Sequence, residues 1–157
     1  AALTGHLVLS TLHTNDSPTA LTRLLDLGVA AYLVASTVDA VLAQRLVRTT
    51  CPSCRREVAP DPALARRVDL AAIGVTRLWA GAGCDACRGT GYRGRTGIYE
   101  LLVMDAELRR EVQQRRGSEE LRTLALQKGM RSLFEDGLRL VRSGVTTIDE
   151  VLRVARG

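Results

Sequence analysis

Apolar positions arrive along this chain in several different rhythms. Residues 3–12 read Leu-Thr-Gly-His-Leu-Val-Leu-Ser-Thr-Leu, apolar without alternation up to a polar end. A near-continuous run of that length predicts a strand covered on both faces, as in an α/β sheet. Such a strand needs neighbours, and the expectation is that they lie in a portion preceding this sequence. It would end at His13-Thr14-Asn15-Asp16, and open α/β sheets bind ligands at the carboxyl ends of their strands. Ser17-Pro18 predicts an N-cap and first helical residue, Leu21, Leu24 and Leu25 form a buried stripe, and Gly28 is the stop. A second helix is predicted over residues 31–47. It is apolar on most sides through Leu33, Val34, Val38, Val41, Leu42 and Leu46, interrupted by Gln44 and Arg45, and is expected to be largely buried.

The pattern then loosens. Pro60-Asp61-Pro62 predicts a turn, residues 63–72 a short exposed helix, and Leu78-Trp79-Ala80 a return segment. Residues 98–103, Ile-Tyr-Glu-Leu-Leu-Val, predict a strand. Asp105 caps a helix ending near Gly117, and Ser118 caps another ending at Gly129. Ser132 with Glu135, and Thr147 with Glu150, have the spacing of capping boxes opening two further helices. The expected class is therefore α/β, with a small helical C-terminal cap.

Cysteine changes the picture most. The four cysteines form two C-x-x-C pairs, Cys51-Pro52-Ser53-Cys54 and Cys84-Asp85-Ala86-Cys87, with 29 residues between them. Each pair can grip one edge of a tetrahedron, so the pattern predicts a closed Cys₄ zinc site. Cys51, Cys54, Cys84 and Cys87 are its ligands. With all four thiolates bound no position is open to water, so the site is structural and its binding energy becomes folding energy. The glycines from Gly89 to Gly97 allow the tight backbone of a metal knuckle. The intervening loop reads as too poor in apolar residues to fold alone. Arg55, Arg56, Arg88, Arg93 and Arg95 surround the doubly negative centre. A thioredoxin-type pair would need no second pair. A disulfide scaffold would suit a shorter, cysteine-dense secreted chain, and no signal peptide pattern opens this one, so a reducing cytoplasm is expected.

Charge and composition exclude more than they assign. The net charge is +5, from 22 Lys+Arg against 17 Asp+Glu, in 157 residues that are 46% hydrophobic and 3% aromatic. This is a globular composition, and so few aromatic rings argue against a base-stacking platform. A zinc-ribbon nucleic-acid binder is the rival from another class, allowed by the basic residues near the cysteines. A J-domain co-chaperone zinc module is a further rival, since Cys84-Asp85-Ala86-Cys87-Arg88-Gly89-Thr90-Gly91 has its C-x-x-C-x-G-x-G form, but only once. The single lysine, Lys128, precedes Gly129. A P-loop needs Gly-Lys-Ser/Thr, so these residues cannot form a Walker A site by themselves.

Four ordered segments carry a family resemblance across essentially the whole chain. Thr4-Gly5 followed by residues 6–15, His-Leu-Val-Leu-Ser-Thr-Leu-His-Thr-Asn, resembles the histidine box of the secretion ATPases. These are the E-type motors of type II secretion and their relatives that assemble type IV pili. Residues 41–48, the two cysteine pairs with residues 91–100, and residues 136–138 with 144–151 resemble the segments that follow in that family.

The resemblance implies the C-terminal part of a RecA-like P-loop NTPase motor domain with an inserted Cys₄ zinc module. Residues 1–49 would belong to the ATPase core, 50–97 to the tetracysteine module and 98–157 to a C-terminal strand and helical subdomain. It implies a hexamer that hydrolyses ATP with Mg²⁺ on the cytoplasmic face of the bacterial inner membrane. It implies inner-membrane platform and anchoring proteins as partners, peripheral membrane association, and no nucleic acid. The family's Walker A, acidic box and Walker B precede the histidine box, so this chain alone is expected not to hydrolyse ATP and to serve as a zinc-stabilised sensor and docking segment. Residues 42–49 lean towards type II secretion, with type IV pilus assembly as the alternative.

Taken singly, either histidine reads as an ordinary polar residue. The resemblance assigns His13 to γ-phosphate sensing and His6 to a supporting or interface role in catalysis. A neutral imidazole at the end of the strand could exchange one hydrogen bond with a phosphate, and an imidazolium would stabilise transferring charge. Arg45 and Arg48 admit contacts with the phosphate tail or between subunits, and equally helix-end charges or salt bridges.

Overall fold

The computed structural model describes residues 1–155, and the side chains of all of these except 65–67. It is mixed α/β. A 3₁₀ turn, Ala2–Thr4, is followed by α1 (Ser17–Asp26), α2 (Ala31–Thr37), β1 (Ala40–Thr50), β2 (Arg55–Val58), α3 (Pro62–Arg67), β3 (Leu78–Gly81), β4 (Tyr92–Val103), α4 (Ala106–Gln113), α5 (Ser118–Gln127), α6 (Leu133–Arg142) and α7 (Ile148–Ala155). β1 pairs with β4, and β2 with β3. The β2–β3 pair is antiparallel, with Arg55 opposite Gly81 and Val58 opposite Leu78.

The chain divides into two compact units. The first comprises Ala1–Gln44 and Glu100–Ser132. Its core joins Leu21 and Leu25 of α1, Val34 and Ala35 of α2, Leu102 of β4, Leu108 and Val112 of α4, and Leu121 and Ala125 of α5. The second comprises Arg45–Tyr99 and Leu133–Gly157. One of its clusters packs Leu64, Val68, Val75 and Leu78 against Leu138, Val141, Ile148, Val151 and Leu152. The loop between the cysteine pairs, expected to be too apolar-poor to fold alone, thus supplies four buried apolar side chains. A second cluster holds Val47, Ile98, Leu133 and Leu140.

Several sequence expectations shift. The strand over residues 3–12 is not formed: residues 6–14 have no regular secondary structure, and Leu7 and Leu9 are 86% and 88% exposed. A strand is held by hydrogen bonds to neighbours, and none of the described strands pairs with this segment. The helix over 31–47 stops at Thr37, where Val38 turns extended, and the chain continues as β1. Pairing with β4 overrides local helical spacing, the usual way tertiary context wins over propensity. β4 starts six residues earlier than the strand predicted at Ile98.

The caps move by one residue. Asp16, not Ser17, caps α1, taking the Thr19 N–H at 2.8 Å. Gly117, not Ser118, caps α5, with the Glu120 carboxylate on the Gly117 N–H. Asp105 caps α4 as expected, accepting from Glu107 and Leu108.

Thr147 does cap α7, its Oγ1 receiving the Glu150 N–H, but the Glu150 carboxylate is used elsewhere. It is 2% exposed and accepts from the Arg48 N–H at 3.0 Å, the Arg48 guanidinium at 2.6 Å and the Arg153 guanidinium at 2.9 Å. Burial pushes this carboxyl up, but the bonds from Arg48 and Arg153 outweigh it and hold it at about 2. Because the folded value lies below the ordinary carboxylate range, the pair's contribution is complete above about pH 4.5 and is lost as pH falls towards about 2. Glu150→Gln is expected to cost about 2 kcal/mol at pH 6, with the difference from wild type vanishing near pH 2. Denaturant midpoints of the two proteins across pH 2–6 check this; a constant difference would contradict it.

Candidate functional site

The four predicted metal ligands come together in the second unit. Their Sγ atoms all lie within 4.8 Å of one another. Cys51 to Cys84 and Cys54 to Cys87 are each 3.9 Å apart, and Cys84 to Cys87 is 3.8 Å. Sulfurs on a Zn²⁺ tetrahedron with 2.3 Å bonds are about 3.8 Å apart, so this donor set fits a tetrahedral thiolate-bound ion. A disulfide would bring two sulfurs to about 2.05 Å, and all four cysteines are free.

Local backbone builds the cluster. After the 3₁₀ turn Asp85–Cys87, Arg88 and Gly89 take positive φ. This folds the chain back so that Gly89 N–H reaches Cys84 O at 3.0 Å. Cys87 Sγ accepts the N–H groups of Cys84 and Gly91, both at 3.2 Å. The first pair is tied to the second by Cys51 N–H to Gly91 O at 2.8 Å and Ala82 N–H to Cys54 O at 3.0 Å. Cys51 and Cys87 are buried, Cys54 and Cys84 half-buried.

The thiols hold their protons unevenly. Burial pushes Cys54 up to about 12, with the thiols of Cys84, Cys87 and Cys51 adding to it. Burial acts in the same direction on Cys87, but the N–H bonds from Cys84 and Gly91 outweigh it and lower that thiol to about 6. Thiolates are the metal ligands, so binding of an ion would expel the remaining thiol protons.

Two arginines of this unit lie over aromatic rings. Arg55 lies over the Trp79 ring at 5.1 Å and donates to Gly144 O at 3.2 Å. Arg48, besides pairing with Glu150, lies over the Tyr92 ring at 4.1 Å, while Tyr92 Oη meets Thr147 Oγ1 at 2.9 Å. Arg56, Arg88, Arg93 and Arg95 are exposed.

The other predicted site residues are distributed over the two units. His6 and His13 belong to the irregular segment of the first unit, both exposed. Among the described residues, His6 Nδ1 meets Thr4 Oγ1 at 2.9 Å. Arg45 belongs to β1 in the second unit and is half-buried.

A network that the sequence reading missed begins three residues after His13. Glu100, 1% exposed, accepts the Ser17 N–H at 2.9 Å and the Ser17 hydroxyl at 2.6 Å. Arg122 of α5 donates to Asp16 at 2.6 Å and stands 3.9 Å from Glu100. Burial raises the Asp16 carboxyl, but its bonds to Thr19 and the charge of Arg122 leave it below the usual range. The only sequence signal was an acidic residue at an inward position of an apolar strand.

Comparison with known proteins accounts for the order of these segments. A family model described as "Type II/IV secretion system protein" matches residues 1–153. The chain is 51% identical over 156 residues to the type II secretion system protein HxcR of Pseudomonas aeruginosa, covering 99% of this chain and 30% of that protein. It is 49% identical over 154 residues to the type IV pilus assembly ATPase PilB of Thermus thermophilus, covering 97% of this chain and 17% of PilB. The type II secretion system ATPase E of Vibrio cholerae is 42% identical over 160 residues, covering 99% of this chain and 31% of that ATPase. The chain therefore spans less than a third of the length of each of these relatives. With the family match running through the histidine segment, both cysteine pairs and the C-terminal helices, the chain belongs to the type II/IV secretion system protein family.

Proposed function

We propose that this chain is the segment of a hexameric secretion ATPase that follows its Walker motifs, working as a metal-stapled docking unit joined to a phosphate-sensing histidine segment. The observation that carries the proposal is the match over residues 1–153 to a family whose members include proteins named as secretion and pilus ATPases. In the whole motor, residues 1–49 would complete a RecA-like core, residues 50–97 would form the zinc module and residues 98–157 the C-terminal subdomain. Type II secretion is the primary reading, from residues 42–49. Type IV pilus assembly is the second, favoured by the 49% identity to a pilus ATPase.

Cys51, Cys54, Cys84 and Cys87 would hold Zn²⁺, which supplies folding energy and no catalytic water. His13 would hydrogen-bond the γ-phosphate of ATP–Mg²⁺ bound by the preceding domain, with His6 in support, and Arg45 would contribute charge towards the phosphates. The rigid module would dock on an inner-membrane platform protein at the cytoplasmic face. No helix among the described residues is long and apolar enough to cross a membrane.

The test is a full-length HxcR in which this chain replaces the matching stretch. His13→Ala in that motor should lower ATP turnover about 100-fold, the size expected for a lost charge-stabilising contact. The 157-residue chain alone should show none. Turnover unaffected by His13→Ala in the motor, or steady turnover by the isolated chain, would overturn the proposal.

A further inference from the structure

Residues 6–14 have no regular secondary structure, and His13 makes no side-chain hydrogen bond or ion pair among the described residues. Among the described residues, the ordered chain next to it is the start of α1. His13 is three residues from Asp16, a reach of at most about 11 Å, so whatever fixes Asp16 and Ser17 confines the imidazole. Several contacts among the described residues do so. Asp16 caps α1 at Thr19, and Thr14 Oγ1 donates to the Asp16 carbonyl at 3.2 Å. Arg122 holds the other Asp16 oxygen, and Glu100 Oε1 takes both donors of Ser17.

A carboxylate that is 1% exposed costs several kcal/mol to desolvate, and packed apolar residues often serve stability equally well in such places. What the charged arrangement adds is direction: each bond fixes an angle at the start of α1. Glu100 comes from β4 and Arg122 from α5, so two elements distant in sequence fix one end of the histidine segment.

We propose that Glu100 and Arg122 are positioning residues for His13, holding the start of α1 so that the imidazole meets the transferring phosphate. This rests on the sensor role proposed for His13. Both would act through the backbone of α1 and not by contact with the nucleotide. Their loss should lower kcat and leave the KM for ATP nearly unchanged, the signature of a contact made in the transition state.

The experiment uses the same full-length chimera, with ATP and Mg²⁺. Glu100→Ala and Arg122→Gln should each lower kcat about tenfold or more with KM within about twofold, since small misplacements cost 10- to 100-fold. Glu100→Gln, which keeps an acceptor for Ser17, should recover most of that loss. In a His13→Ala background neither substitution should lower kcat further, because coupled residues are not additive. If Glu100→Ala does not fold, Arg122→Gln carries the test, its side chain being 26% exposed. A large His13→Ala effect with Arg122→Gln unchanged, or losses that multiply with that of His13→Ala, would overturn this inference alone. No effect of His13→Ala would overturn the sensor role and the inference with it.

Discussion

Serine in place of Cys87, or a chelator that strips the proposed ion, is expected to open the knuckle while leaving the rest of the chain folded. Cys87 Sγ is the hub of the centre: it lies against Cys54 and Cys84 and accepts two backbone N–H groups. Structural zinc in small modules supplies an apparent 10–16 kcal/mol at neutral pH, as much as the whole stability of an ordinary domain. The segment from Pro60 to Leu78 has support of its own, because Leu64, Val68, Val75 and Leu78 pack against α6 and α7. The loss should therefore concentrate in residues 51–58 and 78–97. Amide hydrogen exchange with and without chelator reads this directly. Expected are protection losses of at least 100-fold in those two stretches and unchanged protection in the first unit's core around Leu21, Leu102 and Leu121. Equal protection in both states would mean that the thiols hold no structural ion.

Alanine at Gly81 will be nearly as damaging, although no cysteine is touched. A Cβ built there lies 2.1 Å from the Gly91 carbonyl oxygen, and one at Gly91 lies 2.5 Å from the Gly81 oxygen. Two backbones meet here with no room for a side chain, and neither atom in the way belongs to a flexible group. The same Gly91 oxygen accepts Cys51 N–H, and the Gly91 N–H bonds to Cys87 Sγ. Any shift that relieves the clash pulls one cysteine pair away from the other. Gly81→Ala is expected to cost about 3 kcal/mol and to weaken zinc binding about 100-fold, comparable to losing an orienting contact around a metal site. Gly89→Ala is the control. Gly89 has φ 77 but nothing within 4 Å of its Cβ, so it should cost only the roughly 1 kcal/mol of left-handed backbone. Competition titrations against a zinc chelator, with thermal melts of both variants, measure the contrast. Equal affinities would contradict the backbone-contact account.

The cysteine centre was legible in the sequence because ligand spacing is a local property: a C-x-x-C pair places two sulfurs on one edge whatever the surroundings. The stop at Gly28 and the cap at Asp105 were legible for the same reason. Features set by partners far along the chain were not. β1 has helix-like spacing and becomes a strand only through β4. Residues 6–12 look like a buried strand because they are apolar, but a strand exists only where another strand accepts its bonds. The Glu150–Arg48 pair joins residues 102 apart, the Ser17–Glu100 bonds 83 and the Arg122–Asp16 pair 106. Each acidic residue in these pairs is unremarkable by spacing, and Glu150 was misread as half of a local capping box.

The proposed function requires that the four thiolates hold one structural ion. Elemental analysis of the purified chain, paired with thiol titration before and after chelation, tests it most directly. One zinc per chain is expected, with Cys51, Cys54, Cys84 and Cys87 unreactive until the chelator releases them together. Metal-free protein with four freely reactive thiols, or with disulfides, would contradict it.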